Sequence, residues 1–132
     1  MSDHAEAQIV RHQDPLMLPP STSVMEAARH MHARHVRAVL VIEGDADLVG
    51  IFTERDAISR VLAAGRDPVT TILVDVMTNN PETVTPQQTA TEMLRLMKEV
   101  RVRHLPVVHD GKTVGIVVRN DFPELASGGP PG

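Results

Sequence analysis

Two rhythms of apolar and polar positions alternate along the chain, and the same succession of rhythms occurs twice. Val24, Ala27, Ala28 and Met31 recur at i, i+3, i+4 and i+7, as do Ala90, Met93, Leu94 and Met97. That spacing predicts one amphipathic helix in each half. Ser23 with Glu26, and Thr89 with Glu92, supply a capping box at each start, a hydroxyl and a carboxylate that satisfy orphan amides. A β-rich stretch follows each helix, VRAVLVI and VRHLPVV, then a turn, then a second stretch, LVGIFT and TVGIVV. Asp110-Gly111 marks the second turn as a hairpin, and EGDAD serves in the first. Pro106 has no N–H for a sheet ladder, so its strand is expected at an edge or a bulge. Asp56 begins AISRVLAAG, read as a short helix stopped by Gly65. Short lead-in strands are expected near Leu16 to Leu18 and Thr83 to Thr85.

The rhythms repeat because the residues do. Pro20 to Ile42 aligns with Pro86 to Val108 at an offset of 66, and seven of the 23 pairs are identical. The offset falls to 65 by Val49 and Val114, which places a one-residue deletion in the turn, where a change of length costs least. GIFTERD at Gly50 and GIVVRND at Gly115 are then the same segment twice. Repetition at this period implies paired structural units with paired sites. The residues between, RDPVTTILVDVMTNNPE, read as a linker with one small helix around Ile72, Leu73, Val76 and Met77. The expected division is a flexible N-terminus at 1–8, a first unit at 9–65, the linker at 66–80, a second unit at 81–125 and a disordered tail at 126–132.

Composition narrows the function classes. The chain has 132 residues, and two halves of about 60 would each be marginal alone, so they are expected to share buried surface. Its net charge is −4 with no arginine or lysine cluster, which disfavours a nucleic-acid partner. Cysteine is absent, excluding disulfides and thiolate chemistry. The polar N-terminus is no signal peptide and no apolar run suits a membrane span, so a cytoplasmic protein is expected. Trp and Tyr are absent and Phe occurs twice, leaving Val, Leu, Ile, Met and Ala to build the core; Met25, Met31, Met77, Met93 and Met97 are read as its filler.

Thr53 and Asp56 are the most suggestive polar pair. A strand ending at Thr53 before a helix beginning near Asp56 sets a hydroxyl and free amides where a phosphate is welcome, and a carboxylate there can accept from ribose hydroxyls. Arg55 adds a candidate cation. The same spacing also serves a plain helix cap. In the second copy Val118 replaces the threonine while Asp121 is kept, with Arg119 as a candidate phosphate partner or a solvated charge. The two sites are therefore expected to differ in affinity. His30, His32 and His35 share a helix, but only His32 and His35 share a face and nothing completes a metal set. No nucleophile elbow, phosphate loop or acid–base pair is present, so no enzyme is expected.

The segments VDVMT, TVTPQQTATEMLRLMKEVRVRHLPVV, GKTVGIVVRND and GIFTERDAISRVL resemble a tandem pair of CBS (cystathionine-β-synthase) domains, a Bateman module, over roughly Leu16 to Leu125. The resemblance implies an α+β fold of two βαββα units packed sheet to sheet about a pseudo-twofold axis, standing alone without an attached effector. It also implies adenosine-containing ligands (AMP, ADP, ATP or S-adenosylmethionine) as regulatory molecules rather than cofactors, in two clefts. Relatives place adenine and phosphate contacts at positions matching Arg37, Ala38, Arg103 and His104, while Met17, Leu18, Thr83, Val84 and Thr85 would line the adenine slots. A homodimer, formed through helical faces carrying Met31 and Met97, and an unidentified effector protein complete the expected partners. The alternative is a constitutive dimeric scaffold whose clefts stay empty.

Overall fold

The computed structural model describes residues 3–120; Asp121, Leu125 and the glycine- and proline-rich tail lie outside the described residues. Helix α1 (Asp3–Gln8) leads into β1 (Ile9–His12) and β2 (Met17–Leu18). The first repeat continues as α2 (Val24–Arg34), β3 (Ala38–Glu43), β4 (Asp47–Thr53) and α3 (Glu54–Asp56), which runs on as a π-helical segment at Ala57–Leu62. After α4 (Leu73–Val76) and β5 (Thr78–Asn79), the second repeat supplies α5 (Ala90–Val100), β6 (His104–His109) and β7 (Lys112–Arg119).

The strands form two sheets, ordered β2-β3-β4-β5 and β1-β7-β6. Both lead-ins are present: β2 runs parallel to β3, and Val84 bridges Val107 in parallel. The two hairpins differ where the alignment lost a residue. Glu43 faces Asp47 across three loop residues, whereas His109 faces Lys112 across Asp110 and Gly111, both at positive φ as a two-residue hairpin turn demands. Each hairpin also carries one register shift, at Val41/Ile42 and at the matching Val107/Val108. Pro106 sits on β6, an edge strand, as its missing N–H requires.

Strand alternation divides the side chains among three apolar clusters. Val39, Val41 and Phe52 point to one side, packing with Val24, Ala27 and Met31 of α2. Leu105 and Val117 pack with Ala90, Met93, Leu94 and Met97 of α5. The opposite sides, Ala38, Leu40 and Ile51 from one sheet and Ile116 with Val118 from the other, meet between the sheets. A strand buried on both faces reads as a continuous apolar run, which is why AVLVI carries no polar alternation. At the hairpin end the units are further tied by Thr113 N–H donating to the Ala46 carbonyl at 2.9 Å and Lys112 Nζ to Asp47 Oδ1 at 3.1 Å.

Several sequence expectations are corrected. Residues before Ile9 are not loose from Asp3 onward: α1 forms and packs on α5, with Ala5 and Ile9 buried in the second core. Strands β1 and β5 were not expected, and each crosses to the other repeat's sheet, β1 onto β7 and β5 onto β4. The helix after β4 starts at Glu54 with Thr53 as its N-cap, two residues before the expected Asp56. Ser23 accepts from Glu26 N–H, but the reciprocal bond that completes a capping box is formed only at Thr89 and Glu92 on this pair of helices. Ala28 is exposed and Met25 half-buried, because the buried stripe of α2 is Val24, Ala27 and Met31 alone.

The repeated glycines answer to the crossing strands. A Cβ on Gly115 would lie 2.7 Å from the His12 carbonyl oxygen, and one on Gly50 would run into the Met77 side chain. Each glycine lets the segment arriving from the other repeat approach the middle of a hairpin strand.

Candidate functional site

Register brings the first set of candidate residues to one end of one sheet. Ala38 pairs with Thr53, the Glu54 N–H donates to the Arg37 carbonyl at 2.9 Å, and Met17 stands beside Leu40 two residues along β3. The second set is the same construction: His104 pairs with Val118, and the Arg119 N–H donates to the Arg103 carbonyl at 2.8 Å. Backbone equivalence thus extends to the strand ends while the side chains diverge, Thr53 against Val118 and Ala38 against His104.

Thr53 and Asp56 form a reciprocal cap. The Thr53 N–H and hydroxyl both donate to Asp56 Oδ2, at 2.9 and 3.1 Å, and the Asp56 N–H donates to Thr53 Oγ1 at 3.2 Å. Asp56 Oδ1 faces Arg60 Nε at 3.6 Å, and the Asp56 side chain is only 12% exposed. Arg60 in turn donates from Nη1 to the Met77 carbonyl at 3.0 Å, tying the cap to the segment between the repeats. A carboxylate offers about four lone-pair sites, so Oδ1 retains acceptor capacity beyond this arrangement. Arg55, inside the cap between Thr53 and Asp56, and Arg37, before β3, are both exposed.

Other candidates fall out differently. Val84 is 1% exposed and packs in the second core, with its N–H donating to the Pro106 carbonyl and its carbonyl accepting from the Val108 N–H. It therefore has neither a side chain nor a backbone group to offer a slot. Thr83 and Thr85 flank it and are exposed, Thr85 N–H donating to Gln88 Oε1 at 2.9 Å. Leu18 packs on the first core and Met17 on the cluster between the sheets. Asp121 lies outside the described residues. Met31 and Met97 are buried in their own cores, so they furnish no exposed dimer face.

His104 occupies the inter-sheet side of β6, in the place Ala38 holds on β3, and it is partly buried. Its pKa is lowered to about 4, first by burial, then by Arg37, and further by Arg103 and His12. Arg37 belongs to the first repeat and His104 to the second, so the two candidate sets meet at the junction of the units. His12 and Arg60 were not among the sequence candidates. Arg60 was readable as the i+4 partner of Asp56; His12 was not, since it arrives on a crossing strand. A groove of about 410 Å³ adjoins the Thr53 strand end on the α2 side, lined by Arg37 and Glu54 together with Met31, Val36, Phe52 and Ala57.

Among the described residues no helix is long and apolar enough to cross a membrane, and no group of three or more His, Cys, Asp or Glu is placed to hold a metal ion.

Comparison with known proteins agrees with this construction. The CBS domain family model matches residues 7–63 and again 73–125. The chain is 41% identical over 102 residues to the CBS domain-containing protein CBSCBSPB3 of Arabidopsis thaliana, a match covering 77% of this chain and 18% of that protein. It is 31% identical over 114 residues to protein MK0525 of Methanopyrus kandleri, covering 86% of this chain and 58% of that one. The chain therefore spans about a fifth of the plant relative's length and just over half of the archaeal one's. Among solved structures, a Burkholderia ambifaria MC40-6 protein with CBS domains, whose name suggests signal transduction, superposes with a TM-score of 0.77 at 32% identity, covering 89% of this chain and 83% of that one. The CBS domain pair of protein MJ0100, solved with 5'-methylthioadenosine and S-adenosyl-L-methionine, gives 0.75 at 26% identity over 82% of this chain and 87% of that one. A mixed α/β fold of two interlocked repeats, matched twice by one family model, makes this chain a member of the CBS domain family, as a tandem pair.

Proposed function

We propose that the pair is a regulatory ligand sensor that binds an adenosine-containing nucleotide at the strand ends and relays its presence to a partner protein. The observation that carries this reading is the Thr53–Asp56 cap beside the Arg37 and Ala38 backbone, a carboxylate with spare acceptor capacity next to a cation. Ribose hydroxyls suit Asp56 Oδ1, and a phosphate suits Arg37 and Arg55. The MJ0100 pair, with adenosyl ligands bound, supports the ligand class by similarity. The second site, lacking the Thr53 hydroxyl, is the weaker of the two. Binding shifts the units against each other across the apolar cluster they share. No catalytic role is part of this reading. A second copy covers Ile58 and Leu62, 56% and 65% exposed on the π-helical segment, in place of the expected methionines.

A second reading, a dimeric scaffold with empty clefts, draws on the fact that Asp56 is already engaged by Thr53 and Arg60. Titration calorimetry with AMP, ATP and S-adenosylmethionine separates the two: saturable heat at one or two sites per chain supports the sensor, and none with any of them leaves the scaffold. The chain lacks Trp and Tyr, so a nucleotide retained through purification would dominate its near-ultraviolet spectrum.

A further inference from the structure

One side chain ties the cap at the end of β4 to the segment between the repeats. Arg60 stands one turn beyond Asp56 with Nε 3.6 Å from Asp56 Oδ1, and its Nη1 donates to the Met77 carbonyl at 3.0 Å and to the Val76 carbonyl at 3.5 Å. Val76 ends α4, and Met77 leads into β5, a two-residue strand that pairs with β4 at Gly50 with Asn79 and at Ile51 with Thr78. The same guanidinium covers the remaining oxygen of the carboxylate. Asp56 Oδ2 accepts from the Thr53 N–H and hydroxyl, Oδ1 meets Arg60, and the Asp56 side chain is 12% exposed against 49% for Arg60. Thr53 is fixed by its strand, whereas Arg60 has water to swing into. In the second copy the sequence keeps Asp121 but has Leu125 at the position matching Arg60, so this arginine belongs to the first site alone.

We propose that Arg60 is a latch between the ligand and the segment joining the repeats: without nucleotide it occupies Asp56 Oδ1 and holds the end of α4, and a ribose hydroxyl that takes Oδ1 displaces it, releasing the Val76 and Met77 carbonyls and loosening β5 from β4. The latch rests on the sensor reading for ribose at Asp56, and adds to it the contact that opposes binding and the segment that responds. Relative strength decides the exchange. At 3.6 Å the Arg60–Asp56 contact is longer than the about 2.7–2.9 Å of a charge-assisted N–H···O bond. A half-exposed arginine is also screened by water, so its pairing is weak beside a hydroxyl bonded directly to the carboxylate. Once Arg60 leaves, two carbonyls at the end of α4 lose their donor beside a strand held by two residue pairs. Binding and release are then linked, and a change that frees Arg60 strengthens binding.

The test combines AMP calorimetry with amide hydrogen exchange on the full chain, for the parent and for Arg60→Met, which keeps an apolar stem and removes the guanidinium. Without its competitor the first site should bind AMP about twofold to fivefold more tightly in Arg60→Met. In the parent, AMP should speed exchange severalfold at Met77, Thr78 and Asn79, while in Arg60→Met these amides exchange fast without ligand and AMP leaves them unchanged. Arg60→Lys keeps a charge for Asp56 without the fork that reaches both partners, and serves if the methionine variant does not fold: affinity near the parent's with the exchange response lost supports the latch. Weaker AMP binding in Arg60→Met makes Arg60 a support for the site and overturns the proposal. Normal AMP binding to the parent with exchange at 77–79 unmoved leaves the nucleotide reading standing and sinks the latch. AMP binding by Arg60→Met alone supports the latch, and absence of AMP heat in parent and variants overturns the nucleotide reading and the latch together.

Discussion

The end of β4 delivers Thr53 opposite Ala38 and then Asp56, while the end of β7 delivers Val118 opposite His104. Backbone bonds at the two places match, Glu54 N–H to Arg37 carbonyl and Arg119 N–H to Arg103 carbonyl. Duplication preserved what sheet pairing needs and released what it does not. Cross-strand hydrogen bonds are indifferent to the side chain, so the two strand ends were free to specialise, one toward a hydroxyl–carboxylate cap and the other toward a histidine among arginines.

Removing Asp56 should sharpen that comparison most. Asp56→Ala takes away the acceptor proposed for ribose, and losing two hydrogen bonds to a charged group, each worth about 1.5–3 kcal/mol, should weaken AMP binding by about 100-fold or more. Asp121→Ala should cost less. Calorimetry reads both, with an unfolding curve beside it, because Asp56→Ala also removes a helix cap worth about 0.5–2 kcal/mol. Equal losses for the two variants would erase the asymmetry.

The glycines offer the next largest contrast. Gly115→Ala pushes a methyl group against the His12 backbone carbonyl, which cannot move without lifting β1 from β7, whereas Gly50→Ala meets the flexible end of Met77. Overpacking of this kind costs about 1–3 kcal/mol, so Gly115→Ala should sit at the top of that range and Gly50→Ala near its foot. Urea unfolding of both variants checks the order, and a reversal would mean that β1 is the softer of the two crossing strands.

Acid should then distinguish the repeats through His104. Its folded pKa of about 4 lies below the ordinary 6.5, so between these values the unfolded chain binds more protons and stability falls as pH drops. The loss amounts to at most about 2 kcal/mol by pH 5. His104→Ala, which makes the second repeat like the first, should flatten the decline in melting temperature between pH 7 and pH 5. The smallest effect is expected from Val118→Thr. Restoring a hydroxyl at the weaker site should gain about tenfold in AMP affinity, or about 1.4 kcal/mol, and no gain would mean that Thr53 acts only as a cap.

What the sequence by itself determined is local or periodic. Helices α2 and α5, their starts at Ser23 and Thr89, the paired hairpins and the residue lost in the second turn follow from spacings of a few residues and from the repeat, because capping and tight turns are decided within one or two turns of chain. Thr53 and Asp56 were legible as a pair, but their choice between cap and ligand site was not, since the same three-residue spacing serves both. Only the tertiary structure decided the exchange of β1 and β5 between the repeats, the burial of Val84, and the influence of Arg37 and His12 on His104. Those features join residues far apart in the chain. A four-residue strand such as IVRH carries too little alternation to announce itself, and it becomes a strand because β7 presents an unpaired edge and Gly115 leaves room for the His12 carbonyl to approach.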